Sequence, residues 1–296
     1  MLLLTLFLAA AGTISALPLE KRAISATLFA QGQLYNQYSA ASYCPSNDGT
    51  VGHDLSCVTG NCPLVQTANT SVYLALPGSP NTDTAGFLSL DYTNQLIVLS
   101  FRGSESTKND IVDISFTLRS YSRCSGCKIA SGFYSAWQDV ASQATSAVTS
   151  AMAANPGWPV VVTGHSLGGA LATIAAAELR AGGLSVDMYT YGSPRVGNQA
   201  TAAWISGQAP AQGANMRFTH AGDPTPYLPP LSFGFRNVSP GYHITSATGT
   251  FPTPGDIVVQ DGDSVENAVG GSSEDQYEAH VWYYNATTLC YTAETS

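Results

Sequence analysis

Four short apolar segments, residues 95–101, 159–163, 186–191 and 216–219, read as central strands of a sheet. Helical patterns lie between several of them. Phe133, Trp137, Val140, Ala144, Val148 and Met152 recur at helical spacing, and Asn155-Pro156-Gly157 stops that helix. A series of helix formers, Ala170, Leu171, Ala172, Ala175, Ala176, Ala177, Glu178 and Leu179, predicts a second helix from residue 167 to about 179. Alternation of this kind implies the α/β class, a mostly parallel central sheet flanked by helices. No internal repeat, low-complexity stretch or linker divides the chain. Strands after Pro224 are hidden among long loops.

Composition fits one sizeable globular domain: 296 residues, 44% hydrophobic and only 10% charged, with 28 Gly and 16 Pro. Residues 2–11 are apolar but too short to span a bilayer, and small residues follow near Ile14-Ser15-Ala16, as in a secretory signal. The dibasic Lys21-Arg22 reads as a processing site. Residues 1–22 are therefore expected to be a signal peptide and short propeptide, with 23–296 the single secreted domain. Loss of Glu20, Lys21 and Arg22 would move the formal charge from −9 to −10. An acidic surface repels phosphate backbones and anionic membranes, so the expected substrate is neutral and no nucleic acid is a partner.

Six cysteines in an exported chain suggest three disulfides. Spacing favours small loops closed by Cys57 with Cys62 and by Cys124 with Cys127, leaving Cys44 and Cys290 to tie the ends of the domain together. A zinc or redox site at Cys124 and Cys127 is the rival reading, but zinc would need two further ligands. Sequons at Asn69, Asn237 and Asn285 would carry glycans if exposed.

The chemistry is concentrated in Val160-Val161-Val162-Thr163-Gly164-His165-Ser166-Leu167-Gly168-Gly169-Ala170, a buried strand, a glycine-flanked serine and a helix. That order builds a nucleophile elbow. A serine on so sharp a turn sits in strained backbone, and a neighbour bearing a Cβ would clash. The following helix aims its N-terminal amides where a carbonyl oxygen would become negative.

A base must accept the Ser166 proton, and in this architecture the chain order is serine, acid, histidine. That order removes His53, and leaves His220 dependent on Asp187, at the wrong end of its strand. His280 is the favoured base and His243 stays open as an alternative. Asp223 directly follows the strand ending Arg217-Phe218-Thr219-His220, at the edge where Ser166 emerges, and would orient His280. Asp256, Asp261, Asp263 and Asp275 read as a solvated loop; Asp261, Asp263 and Glu266 match no calcium loop, and no metal is assigned. Strand alternation points His165 away from Ser166. Ser104, in Phe101-Arg102-Gly103-Ser104, is the expected second oxyanion donor beside the Leu167 amide.

With these pieces the chain resembles the secreted filamentous-fungal lipases of the class 3 lipase family, which also holds feruloyl esterases. The resemblance runs from about Ala23 to Cys290. Its blocks are Gln37-Tyr38-Ser39-Ala40-Ala41-Ser42-Tyr43-Cys44, Ile97-Val98-Leu99-Ser100-Phe101-Arg102-Gly103-Ser104, Gly164-His165-Ser166-Leu167-Gly168-Gly169-Ala170-Leu171-Ala172-Thr173, Tyr191-Gly192-Ser193-Pro194-Arg195-Val196-Gly197-Asn198, Leu228-Pro229-Pro230 and Ala279-His280-Val281-Trp282-Tyr283-Tyr284. It implies an α/β-hydrolase fold, a triad of Ser166, Asp223 and His280, an oxyanion hole at Ser104 and Leu167, the same three disulfides and no cofactor.

The resemblance also implies a short helical lid over residues 106–114, including Ser106, Thr107, Asp110, Ile111, Val112 and Ile114. Asp110 stands where well-known members carry a large aromatic, so a smaller apolar face predicts weak opening at a lipid–water interface. The expected function is a secreted, monomeric triacylglycerol lipase working through an acyl-enzyme. Feruloyl esterase is the alternative, and a non-catalytic binding module the remote one.

Overall fold

The computed structural model describes residues 23–104, 116–263 and 273–290. The expected leader (1–22), the expected lid (106–114) and Glu266 lie outside the described residues.

The chain opens with α1 (Ala26–Ala41), two single-turn helices α2 (Pro45–Asp48) and α3 (Pro63–Gln66), and strands β1 (Thr70–Pro77), β2 (Ala85–Asp91) and β3 (Leu96–Phe101). The hairpin β4 (Leu118–Ser120) and β5 (Lys128–Ala130) leads into α4 (Ser131–Ala154), β6 (Val160–His165), α5 (Leu167–Ala181) and β7 (Val186–Tyr191). After β8 (Gly197–Asn198) come α6 (Gln199–Ser206), β9 (Asn215–His220), β10 (Phe235–Arg236), β11 (Gly241–Ile244), β12 (Ile257–Gln260) and α7 (Ser273–Val281).

Eight strands form one sheet in the order β1-β2-β3-β6-β7-β9-β11-β12. Every pairing from β3 to β11 is parallel, and the outer pairings are antiparallel. This is the mostly parallel sheet of an α/β-hydrolase. A second, antiparallel sheet, β10-β8-β5-β4, lies apart from it.

Alternation along each strand divides the core. Ile97, Leu99 and Phe101 of β3, with Val160 and Val162 of β6, pack on the side of α4 and α5, where Phe133, Trp137, Val140, Ala144 and Val148 line the inner face of α4. Val98 and Val161 point the other way, against Tyr38, Tyr43 and Tyr191 on the α1 side. Both sheet faces are thus covered, which is why the central strands are buried throughout.

Each disulfide joins the pair that spacing favours. Cys44, just past α1, is bonded to Cys290 across 246 residues, Cys57 to Cys62 and Cys124 to Cys127. Of the three sequons, Asn69 is exposed and Asn237 is buried. Asn285 is half-buried, its amide hydrogen-bonded to the Asn61 carbonyl. Among the described residues no helix is long and apolar enough to cross a membrane.

Candidate active site

Ser166 occupies the turn between β6 and α5 at φ 56° and ψ −126°, a left-handed conformation that is costly for a residue with a Cβ. The turn survives because its neighbours can come close. A Cβ on Gly164 would strike the Gly168 carbonyl, and one on Gly168 would strike the Phe101 carbonyl on the adjacent strand. The Ser166 amide is tied to the Tyr191 carbonyl at 2.9 Å. Its side chain is held at the carboxyl end of the sheet, where a parallel α/β fold binds ligands.

The other two residues come from separate elements. Asp223 follows β9, its amide bonded to the His220 carbonyl at 3.1 Å, and His280 lies in the last turn of α7. His280 Nε2 is 2.9 Å from Ser166 Oγ, and its Nδ1 is 3.0 Å from each oxygen of Asp223. Asp223 Oδ1 also accepts from the Thr225 amide at 2.8 Å, and Oδ2 from the Tyr283 hydroxyl at 2.6 Å. Burial alone would raise the Asp223 pKa. The charge of His280 and the hydrogen bonds from His280, Tyr283 and Thr225 overcome it, so the carboxyl is held below its ordinary value.

Ser104 and Leu167 meet across a cavity of about 200 Å³, lined also by Arg102 and Leu171. The Leu167 amide opens α5, where no intrahelical acceptor exists. The loop carrying Ser104 is braced by Arg102, whose guanidinium donates to Asp83 at 3.0 Å.

The competing histidines have other partners or places. His243 Nδ1 contacts Thr219 Oγ1 at 2.9 Å, and His220 is buried at the end of β9. Asp187 accepts the Ala214 amide at 2.7 Å, far from the serine turn. Two of the aspartates read as a solvated loop prove to be structural. Asp256 caps the turn Pro254–Asp256, and Asp263 bonds the Asn237 amide and pairs with Arg195 and Arg236. Tyr283 was given no role by sequence reasoning. It lies three residues after His280 and is visible only as an aromatic in a motif.

The class 3 lipase model matches residues 98–233. Over 271 residues the chain is 42% identical to the secreted mono- and diacylglycerol lipase A of Penicillium camembertii, which spans 90% of this chain and 88% of that one. The chain belongs to the class 3 lipase family. This lipase, a carboxylic-ester hydrolase, also superposes on the crystal structure of a mutant of MDLA from Penicillium cyclopium with a TM-score of 0.83 and 41% identity, covering 90% of this chain and 99% of that one. It matches a triacylglycerol lipase whose catalytic centre is a serine protease triad at 28% identity and a TM-score of 0.75, over 91% and 99% of the two chains.

Proposed function

We propose that this lipase cleaves the ester bonds of long-chain acylglycerols outside the cell, with Ser166 as nucleophile, His280 as general base and acid, and Asp223 as the residue that orients His280. What carries the reading is the hydrogen-bonded chain from Asp223 through His280 to a serine held at φ 56°. His280 Nε2 takes the proton as Ser166 Oγ attacks the acyl carbonyl. Asp223 stabilises the charged imidazole. The amides of Leu167 and Ser104 receive the developing oxyanion. His280 passes its proton to the departing alcohol, and water, activated by the same nitrogen, releases the fatty acid. No cofactor enters this sequence of steps.

Within the acylglycerols, the names of the more similar relatives favour mono- and diacylglycerols alongside triacylglycerols. All of them are lipases, which favours a fatty acyl group over a feruloyl one. We further propose that residues 1–22 are removed on secretion, that the mature chain acts as a monomer, and that Asp110 in the segment 106–114 weakens opening at a lipid interface.

The test is hydrolysis of matched mono-, di- and trioleoylglycerol and of methyl ferulate by the mature protein, with Ser166→Ala as blank. The proposal expects acylglycerol turnover that the blank lacks. Preference for methyl ferulate would move the substrate to plant cell-wall esters.

A further inference from the structure

His165 immediately precedes Ser166, yet its side chain leaves the opposite side of β6. Its neighbour two residues back, Thr163, bonds Ser39 of α1, and His165 itself lies fully buried among Tyr43, Tyr283 and the ring of His280. Two hydrogen bonds fix its protonation. The backbone carbonyl of His280, 2.7 Å from Nε2, can only accept, so Nε2 carries the proton. Nδ1 is then an acceptor, and the Tyr43 hydroxyl donates to it at 2.8 Å. The Tyr43 oxygen in turn lies so close to Gly103, the residue before Ser104, that a Cβ there would strike it. Burial, assisted by the nearby charge of His280, pushes the His165 pKa down to about 3, so the ring keeps this tautomer in neutral solution.

Contacts run from Gly103 through Tyr43 and His165 to the main chain of His280. Both ends bear site chemistry: one is the loop of the candidate oxyanion donor, the other the candidate base. The His280 carbonyl lies in the last turn of α7, where helix geometry supplies no acceptor-to-amide bond. Little else buries that helix, since Ala279 and His280 are its buried residues. A residue present only to fill space would need neither bond, and an apolar side chain would avoid the cost of burying two ring nitrogens.

We infer that His165 is a positioning residue: its fixed Nε2–H holds the His280 main chain and, through Tyr43, ties the base to the Gly103–Ser104 loop in one register around Ser166. The inference rests on Ser166 and His280 being nucleophile and base.

Amide substitutions separate the two ring nitrogens. In His165→Gln the side-chain amide reaches the place of Nε2 and keeps a donor for the His280 carbonyl. In His165→Asn it stops at the place of Nδ1. With dissolved 4-nitrophenyl butyrate, which needs no interface, His165→Asn should lower kcat about 100-fold with KM changed less than about twofold, while His165→Gln, which keeps the bond to the His280 carbonyl but gives up the acceptor for Tyr43, should lower it only about 10-fold. Tyr43→Phe should lower kcat about 10-fold, again at nearly constant KM. Equal kcat for the Asn and Gln variants, at equal folded fraction by near-ultraviolet circular dichroism, would reduce His165 to packing and overturn the inference. Should His165→Asn fail to fold, Tyr43→Phe decides: a fall in kcat at constant KM supports the relay, and wild-type kcat overturns it. Failure of the underlying reading looks different, because Ser166→Ala would then be as active as wild type.

Discussion

Tyr283 donates a 2.6 Å hydrogen bond to Oδ2 of Asp223, the carboxylate that also faces His280 Nδ1. Both residues are fully buried, so the phenol is one of the groups that keep this carboxyl ionised out of water. Removing that hydroxyl while keeping the ring leaves Asp223 with its bonds to His280 and Thr225 alone. Tyr283→Phe should therefore lower kcat/KM by roughly 3- to 10-fold. It should also move the acid-side loss of activity to higher pH, because the Asp223 carboxyl rises from its lowered value. A kcat/KM profile from pH 4 to 8 checks both; an unshifted acid limb would show that Tyr283 contributes packing only.

Burial of neutral His165 makes stability depend on pH. Its folded pKa is lowered from 6.5 to about 3, so the unfolded chain binds the proton first as pH falls. The stability it contributes is complete above pH 6.5 and is lost progressively toward pH 3, at about 1.4 kcal/mol per pH unit. His220, also lowered by burial, acts in the same direction. Urea midpoints measured at pH 7.5, 5.5 and 4.5 should fall in that order. The fall should be shallower in His165→Gln, and an equal slope would contradict this assignment.

How much of this was legible follows from what each residue touches. The strands β3, β6, β7 and β9 were visible because their side chains enter the core on both faces of a parallel sheet, which writes apolar runs into the sequence. The strands β11 and β12 were not. Gly241, His243 and Gln260 interrupt their pattern, and β12 is an edge strand with one half-open face. The helix α1 lacks an apolar stripe because it buries polar side chains: Asn36 bonds Thr287, Gln37 accepts the Leu64 amide and Ser39 bonds Thr163. Ser166 and Asp223 are legible as a turn motif and a strand end and His280 only through the serine–acid–histidine order, and the structure brings the three side chains together. The roles of Tyr43 and Tyr283 depend on contacts across 122 and 60 positions, which no local pattern records.

The glycines of the serine turn carry a prediction of their own. A methyl group at Gly168 would meet the Phe101 carbonyl on the neighbouring strand, and backbone at the centre of a sheet has little room to retreat. Gly168→Ala should cost about 2 kcal/mol or more of stability and at least about 10-fold in kcat, because the displaced turn carries Ser166. Thermal unfolding and turnover of 4-nitrophenyl butyrate would show it. A fully stable, fully active variant would contradict the close approach.

The Cys44–Cys290 bond closes a loop of 246 residues and joins the end of α1 to the segment following α7. The double variant Cys44→Ala, Cys290→Ala should lose on the order of 3 to 5 kcal/mol in urea unfolding, more than the Cys57–Cys62 pair, which spans only 5 residues. Equal losses for the two pairs would argue that strain or residual denatured structure, and not loop closure, sets the stabilisation.

The most direct test of the central assignment is labelling with an alkyl phosphonate ester, followed by mass mapping of the modified peptide, on wild type, Ser166→Ala, His280→Ala and His243→Ala. One phosphonyl group on Ser166 is expected in wild type and in His243→Ala. No label should appear in Ser166→Ala, and labelling should be slowed by about 100-fold or more in His280→Ala. Label on another residue, or undiminished labelling without His280, would contradict the account of Ser166 and His280 as nucleophile and base.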